Sequence, residues 1–192
     1  MLTVGDLLGL GEGDNPHRWY SPANVDAVAN AIAADLGTLD PGHAAYYDQQ
    51  RAAFQTRQLA GYHALIATIK QRYTGVPVGA SESIFALLSS ALGLNLVTPY
   101  SFMKAISEGT EVTAQDTVTT QKQLQDHLVK VWIYNSQNAT PQIQRLNELA
   151  RSARIPIATV TETLAPPTAT FEQWQVTQLQ ELARALHQAT GR

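Results

Sequence analysis

The chain has 192 residues, enough for one sizeable α/β domain or for one lobe and part of another. With 44% hydrophobic and 15% charged residues, a net charge of −3 and no basic run, nothing steers it to nucleic acid or to an anionic membrane surface. It contains no cysteine, which removes disulfides, thiolate metal sites and thiol nucleophiles from consideration.

Met1 is followed by Leu-Thr-Val-Gly-Asp, without a charged n-region, an apolar h-region or a lipobox cysteine, so the chain as written carries no export signal. Residues 1–20 are glycine-rich and read as irregular, ending in Asn15-Pro16-His17-Arg18-Trp19. Gly9-Leu-Gly11-Glu-Gly13 lacks both the final glycine and the preceding strand of a dinucleotide loop. Ser21-Pro22 is a helix start, with a hydroxyl N-cap and proline at the first helical position. Val25, Val28, Ala29, Ile32 and Leu36 then share one helical face, and Gly37 with Asp40-Pro41 closes the helix. A second tract, from about Gly42 to Tyr73, is periodic at Tyr62, Ile66, Ile69 and Tyr73, with Gly75 just beyond. Its length suits an element that bridges two bodies.

From Val76 onward the pattern is strand–helix, four times. Strands are predicted over 76–80, 94–97, 129–134 and 155–160, and helices over 83–92, 113–127, 141–154 and 171–187, with 98–112 as a loop. Short apolar strands alternating with amphipathic helices predict an α/β fold, a four-stranded parallel sheet with flanking helices and right-handed crossovers.

In open parallel sheets ligands collect beyond the carboxyl ends of the strands. Those ends hold Ser81-Glu82, Asn135-Ser136-Gln137 and Thr161-Glu162. Two acids at one rim repel each other, and a divalent cation removes that penalty. His17, in a tight Asn-Pro-His loop, is the natural third donor, and one imidazole with two carboxylates suits Mn(II), Fe(II) or Zn(II). Each residue also has a plainer reading: Glu82 favouring a helix N-terminus, Glu162 as a solvated turn residue, His17 as a packing histidine beside Trp19. His43, His63, His127 and His187 lie in or at the ends of helices without partners at ligand spacing. No nucleophile elbow, phosphate loop or His-Glu-x-x-His motif is present. A Glu82/Glu162 glycosidase pair would want more aromatic residues around this rim.

Asn15-Pro-His17-Arg-Trp19-Tyr-Ser-Pro22 resembles the Asn-Pro-His-x-Trp-x-x-Pro signature of the ZnuA/TroA-like zinc- and manganese-binding proteins of ABC transporters. The run from Asn24 through Asp40-Pro41, Tyr47 and Phe54 resembles that family's approach to its inter-lobe helix. Thr110 to Asp116, Tyr134 to Pro141 and Val160 to Leu164 extend the likeness over nearly the whole chain. The resemblance implies residues 1–40 as a remnant of an N-terminal lobe, 41–74 as the long inter-lobe helix and 75–192 as the C-terminal α/β lobe. It implies no enzymatic reaction, but capture of Mn2+ or Zn2+ by His17, Glu82 and Glu162, with Asn135, Ser136 and Gln137 behind them. Glu162 stands where the family most often has aspartate, one methylene shorter.

The family's first histidine has no counterpart here, which implies three of four ligands, weaker metal affinity, and a chain in which the metal is absent altogether if three donors do not suffice. The implied setting is extracytoplasmic, with a transporter permease as partner. Self-association is expected through the helix faces that would otherwise meet the rest of an N-terminal lobe. A surface adhesion or interaction module of the same fold is the alternative, favoured if Glu82 and Glu162 are splayed apart and salt-bridged.

Overall fold

The computed structural model describes residues 1–192. It opens on a single helical turn, α1 (Val4–Leu7), capped by the Thr3 side chain, and a 3-10 turn at Arg18–Tyr20. Helix α2 (Pro22–Leu39) starts as its sequence predicts: the Ser21 hydroxyl accepts the Asn24 N–H and Pro22 occupies the first turn. Gly37 is accommodated inside it, and Asp40-Pro41 ends it.

The tract expected as one long helix over 41–74 is broken. A 3-10 turn at Pro41–His43 leads into α3 (Ala44–Ala53), then a π-helical turn at Phe54–Gln58, then α4 (Ala60–Tyr73). In the π turn the Leu59 N–H bonds to the Phe54 carbonyl, five residues back. That extra residue rotates the phase of the helix, so α3 lies on α2 while Leu59, Tyr62, Ile69 and Tyr73 turn into the core.

The remaining elements alternate: β1 (Pro77–Ala80), α5 (Ala86–Ala91), β2 (Asn95–Leu96), α6 (Tyr100–Glu108), α7 (Ala114–Gln125), β3 (Val131–Asn135), α8 (Pro141–Ser152), β4 (Ile157–Val160) and α9 (Phe171–Thr190). All four strands are parallel, in the order β2-β1-β3-β4. Helix α6 corrects the loop expected over 98–112. The Pro99 and Gly109 that read as loop residues are its two caps, Gly109 in the left-handed conformation, and between them Phe102, Met103 and Ile106 are buried.

Helix α9 packs on β4 with α4 against it, and α8 lies on β3 and β4 with α7 beside it; successive residues of β3 are buried, so both faces of the central sheet are covered. Gly79 in β1 is required by packing. A Cβ there would lie 2.9 Å from the Trp132 ring, the buried centre of β3.

One surface stays uncovered. On the apolar stripe of α2, Ile32 is 45% exposed and Leu36 38%, with Leu39 beyond them at 80%. Beside the stripe runs an apolar groove of about 400 Å³ lined by Trp19, Val25, Val28, Ile32, Phe54 and Phe171 among others. No helix is long and apolar enough to cross a membrane.

Candidate metal centre

The strand order places the switch point between β1 and β3, from whose carboxyl ends the chain departs in opposite directions. Glu82 follows β1 and Asn135 ends β3, and the two meet there: Asn135 Nδ2 donates to Glu82 Oε2 at 3.3 Å. The Asn135 backbone N–H donates to Ser81 Oγ at 3.2 Å, pinning the two strand ends together. Glu82 is 2% exposed, and its second oxygen, Oε1, has no hydrogen-bond partner. Burial pushes its carboxyl above the usual carboxylate range; the amides of Asn135 and Asn138 oppose this, and the charge of Glu162 adds to it.

Glu162 follows β4 and its side chain is half exposed. Its backbone is held by Gln137, whose Oε1 accepts the N–H groups of Glu162 at 2.8 Å and of Thr163 at 3.0 Å. Gln137 is itself fixed by its backbone N–H to Asn135 Oδ1 at 2.9 Å. Ser136 is exposed and takes part only through its backbone N–H, which bonds to Val160.

His17 is brought to this rim by the 3-10 turn that follows it. Tyr20, fully buried, has its hydroxyl 2.8 Å from the Thr161 carbonyl and 2.7 Å from Gln178 Oε1, and Trp174 Nε1 donates to Thr161 Oγ1 at 2.7 Å. Burial raises the Tyr20 pKa far above its ordinary value, so the phenol remains a neutral donor. This lock ties the Asn-Pro-His segment to the end of β4. Tyr20→Phe is expected to lower the stability of the chain by about 1–2 kcal/mol in urea unfolding, because the buried hydroxyl shared between the Thr161 carbonyl and Gln178 Oε1 is lost, and Gln178 Oε1 keeps only the Thr161 N–H at 2.9 Å. A change under a few tenths would show that the lock is redundant.

Locally, Asn15 sets the imidazole. Its Oδ1 accepts the His17 backbone N–H at 3.0 Å and its Nδ2 donates to the Ser83 carbonyl at 2.7 Å, which settles the orientation of the amide. The same Oδ1 lies 2.8 Å from His17 Nδ1, so Nδ1 carries the proton. His17 Nε2 is then either the second N–H of an imidazolium or a free lone pair, and it faces Glu162 Oε1 at 2.9 Å. The ring is 3% exposed and stacks edge-on to Trp19.

That separation is a hydrogen-bond distance, and a cation bound by both atoms would sit beside the contact, in place of the shared proton. Two donor atoms at right angles on one metal, with bonds of about 2.1 Å, stand about 3.0 Å apart. The structure thus brings His17 and Glu162 into contact and holds Glu82 within electrostatic reach of Glu162, paired to Asn135 and to no lysine or arginine. It does not gather three His, Asp or Glu side chains into one closed ligand cluster. The chemistry of the donors fits a divalent cation: a buried carboxylate oxygen without a partner and an imidazole locked with Nδ1 protonated both gain from one.

Sequence reasoning missed Asn15, Asn138 and the Tyr20–Gln178 lock. The signal for Asn15 was present, since an asparagine two residues before a ligand-type histidine can form an Asx turn. Tyr20 and Gln178 are 158 residues apart, and no local pattern joins them.

The sequence model of the zinc-uptake complex component A, a periplasmic protein, matches residues 4–185. No curated protein matches the chain. Among solved structures, the Cd-bound periplasmic metal-binding protein of Candidatus Liberibacter asiaticus aligns with a TM-score of 0.72 at 17% identity, over 96% of this chain and 67% of that one. A Mn-bound mutant of a periplasmic metal-binding protein from the same organism gives 0.71 at 17% identity, over 92% and 66%. The SBP FpvC of Pseudomonas aeruginosa, in complex with Mn2+, gives 0.66 at 19% identity, over 91% and 62%. The chain therefore spans about two thirds or less of the length of these proteins, and at such identities the likeness is one of fold. The α/β fold is that of periplasmic metal-binding, solute-binding proteins, and with a family model matching nearly its whole length, the chain belongs to the zinc-uptake complex component A (ZnuA) family.

Proposed function

We propose that the chain acts in the substrate-binding component of an ABC transporter for a divalent transition metal, Mn(II) or Zn(II), in an extracytoplasmic compartment. The cation is held at the rim by His17, Glu82 and Glu162, and is handed on to a membrane permease. Asn15 orients the imidazole, while Asn135 and Gln137 orient the carboxylates. Residues 75–192 form the C-terminal lobe, 41–74 the interrupted inter-lobe tract, and 1–40 belong with the opposing lobe.

The observation that carries this reading is the His17–Glu162 contact at 2.9 Å beside a buried Glu82 oxygen that no protein group satisfies. A mixed nitrogen and oxygen donor set, without thiolate, favours Mn(II) and Zn(II) over Cu(I). The fold neighbours in complex with Mn or Cd support the same class of cargo. Glu82 has no salt-bridge partner, which favours metal capture over the adhesion-module alternative.

The test is calorimetric titration of the chelator-stripped chain with Mn(II) and with Zn(II). One equivalent of either metal is expected to bind. No heat with either metal at millimolar concentration would refute the reading.

The uncovered face of α2 bears on partners. A contiguous apolar stripe of this kind is costly in water, and reversible self-association through Ile32 and Leu36 is the expected outcome. Light scattering should show mass rising with concentration, and Leu36→Glu should return the chain to a monomer. A concentration-independent monomer for the unmodified chain would rule this out.

A further inference from the structure

A separate cavity lies at the opposite end of the sheet from the metal rim, where Lys130 precedes β3 and Pro156 precedes β4. It measures about 220 Å³ and is lined by His127, Lys130, Arg154 and Gln188, with the buried side chains of Val129 and Ile155. In a chain of net charge −3, three basic residues share this cavity and no acid lines it, although Asp126 immediately precedes His127. None of the three takes part in an ion pair.

The backbone sets two of these residues apart. Helices α4, α5, α6 and α9 each turn off through a glycine at positive φ, between 65° and 78°. Helices α7 and α8 make that turn through His127 at 53° and Arg154 at 56°, the chain's two non-glycine residues with positive φ. At both, the following N–H reaches back five residues: Leu128 to the Gln123 carbonyl at 3.0 Å, and Ile155 to the Ala150 carbonyl at 2.9 Å. This is the helix ending in which glycine is usual, and a residue with a Cβ is strained there. Attraction to the helix C-termini does not account for the exceptions, because Lys122 and Arg151 already place a cation in the last turn of each helix. Both strained turns put a basic side chain on the wall of the same cavity. Retained strain of this kind is found at binding sites.

We propose that this cavity binds a phosphate-type oxyanion, held by His127, Lys130 and Arg154. A guanidinium fork, an ammonium and an imidazole N–H call for three or more acceptor oxygens on one centre. A tetrahedral phosphate offers them, whereas a carboxylate offers two. Lys130 and Arg154 by themselves balance the charge of a dianion. Free inorganic phosphate and the headgroup of an anionic phospholipid both carry this chemistry. The site stands at the other ends of the strands from His17 and Glu162 and does not depend on the metal-binding reading.

The test uses the full chain, stripped with chelator and titrated with inorganic phosphate at constant ionic strength, with binding read from amide shifts in nuclear magnetic resonance. Saturable shifts centred on residues 127–130 and 154–155 are expected. The double variant His127→Gly with Arg154→Gly is expected to weaken phosphate binding at least about tenfold. It should unfold at no lower urea concentration than the wild type, because glycine suits both turns. Lys122→Gln with Arg151→Gln removes two charges from the same helix ends outside the cavity, and should leave affinity within about twofold. A second arm measures sedimentation with phosphatidylglycerol vesicles against phosphatidylcholine vesicles. Uptake by the anionic vesicles alone, lost in the glycine variant, assigns a lipid headgroup; phosphate binding without uptake assigns the free ion. No response in either arm overturns the proposal. Equal losses in the two double variants also overturn it, since they mark long-range attraction only. So does a response to polyglutamate with none to phosphate or vesicles, which would point to an acidic protein partner.

Discussion

His17→Gln is expected to reduce Mn(II) and Zn(II) affinity by two orders of magnitude or more, the largest effect of any single substitution in the chain. Outer-sphere changes cost about 10–100-fold in metal sites, and His17 is placed as an inner-sphere donor. The variant keeps a side chain of similar size that can still donate to Asn15 Oδ1, so the loop and its Tyr20 anchor should stay in place. What is lost is the imidazole lone pair opposite Glu162. Calorimetry measures the affinity, and Trp19, stacked edge-on to the ring, offers a fluorescence readout of the same event. Undiminished affinity with either metal would remove His17 from the ligand set. In that case the 2.9 Å contact is an imidazolium–carboxylate ion pair and nothing more.

Glu82→Gln should move stability and affinity in opposite directions. In chelator, at a pH above the raised folded pKa of Glu82, the wild-type chain carries a buried carboxylate with an unpaired oxygen, and the amide removes that charge. The variant is expected to be more stable by about 1–3 kcal/mol, the scale of an unsatisfied buried charged group. The sign with pH follows from linkage. The folded pKa of Glu82 is raised above its unfolded value, so the folded state holds its proton to higher pH and the penalty is absent below the ordinary carboxylate range. It grows as pH rises through the interval between the ordinary value and the raised folded one, and is complete above that. The stability gap between variant and wild type should therefore open with rising pH and vanish in acid. Adding metal reverses the order, because the wild type gains binding free energy that the variant lacks. A variant less stable than wild type in chelator across the whole pH range would show that Glu82 is a structural hydrogen-bonding group instead.

These two expectations rest on different parts of the chain's legibility. Glu82 and Glu162 were readable as rim residues because strand periodicity marks strand ends and parallel sheets put ligands there. His17 was readable from a short motif. Its place in one donor set with Glu162, 145 residues away, came as what the family resemblance implies, because nothing local encodes the contact: it forms where Tyr20 bonds to Thr161 and Gln178 at the end of β4 and on α9. Helix α6 was lost for another reason. Its caps are Pro99 and Gly109, residues that mark loops and helix ends alike, and nine residues hold too few turns for their periodicity to outweigh those signals.

The sequence by itself determined the parallel α/β class, the helix starts at Ser21, Thr140 and Thr170, and the donors available at the rim. All of these follow from hydrogen bonds and apolar spacings within a few residues. Only the tertiary structure decided the phase change at Phe54–Gln58, the tautomer of His17, and the burial that leaves Glu82 Oε1 without a partner. Each of these depends on which distant surfaces meet, and desolvation and hydrogen-bond completion are set by the full packing around a group.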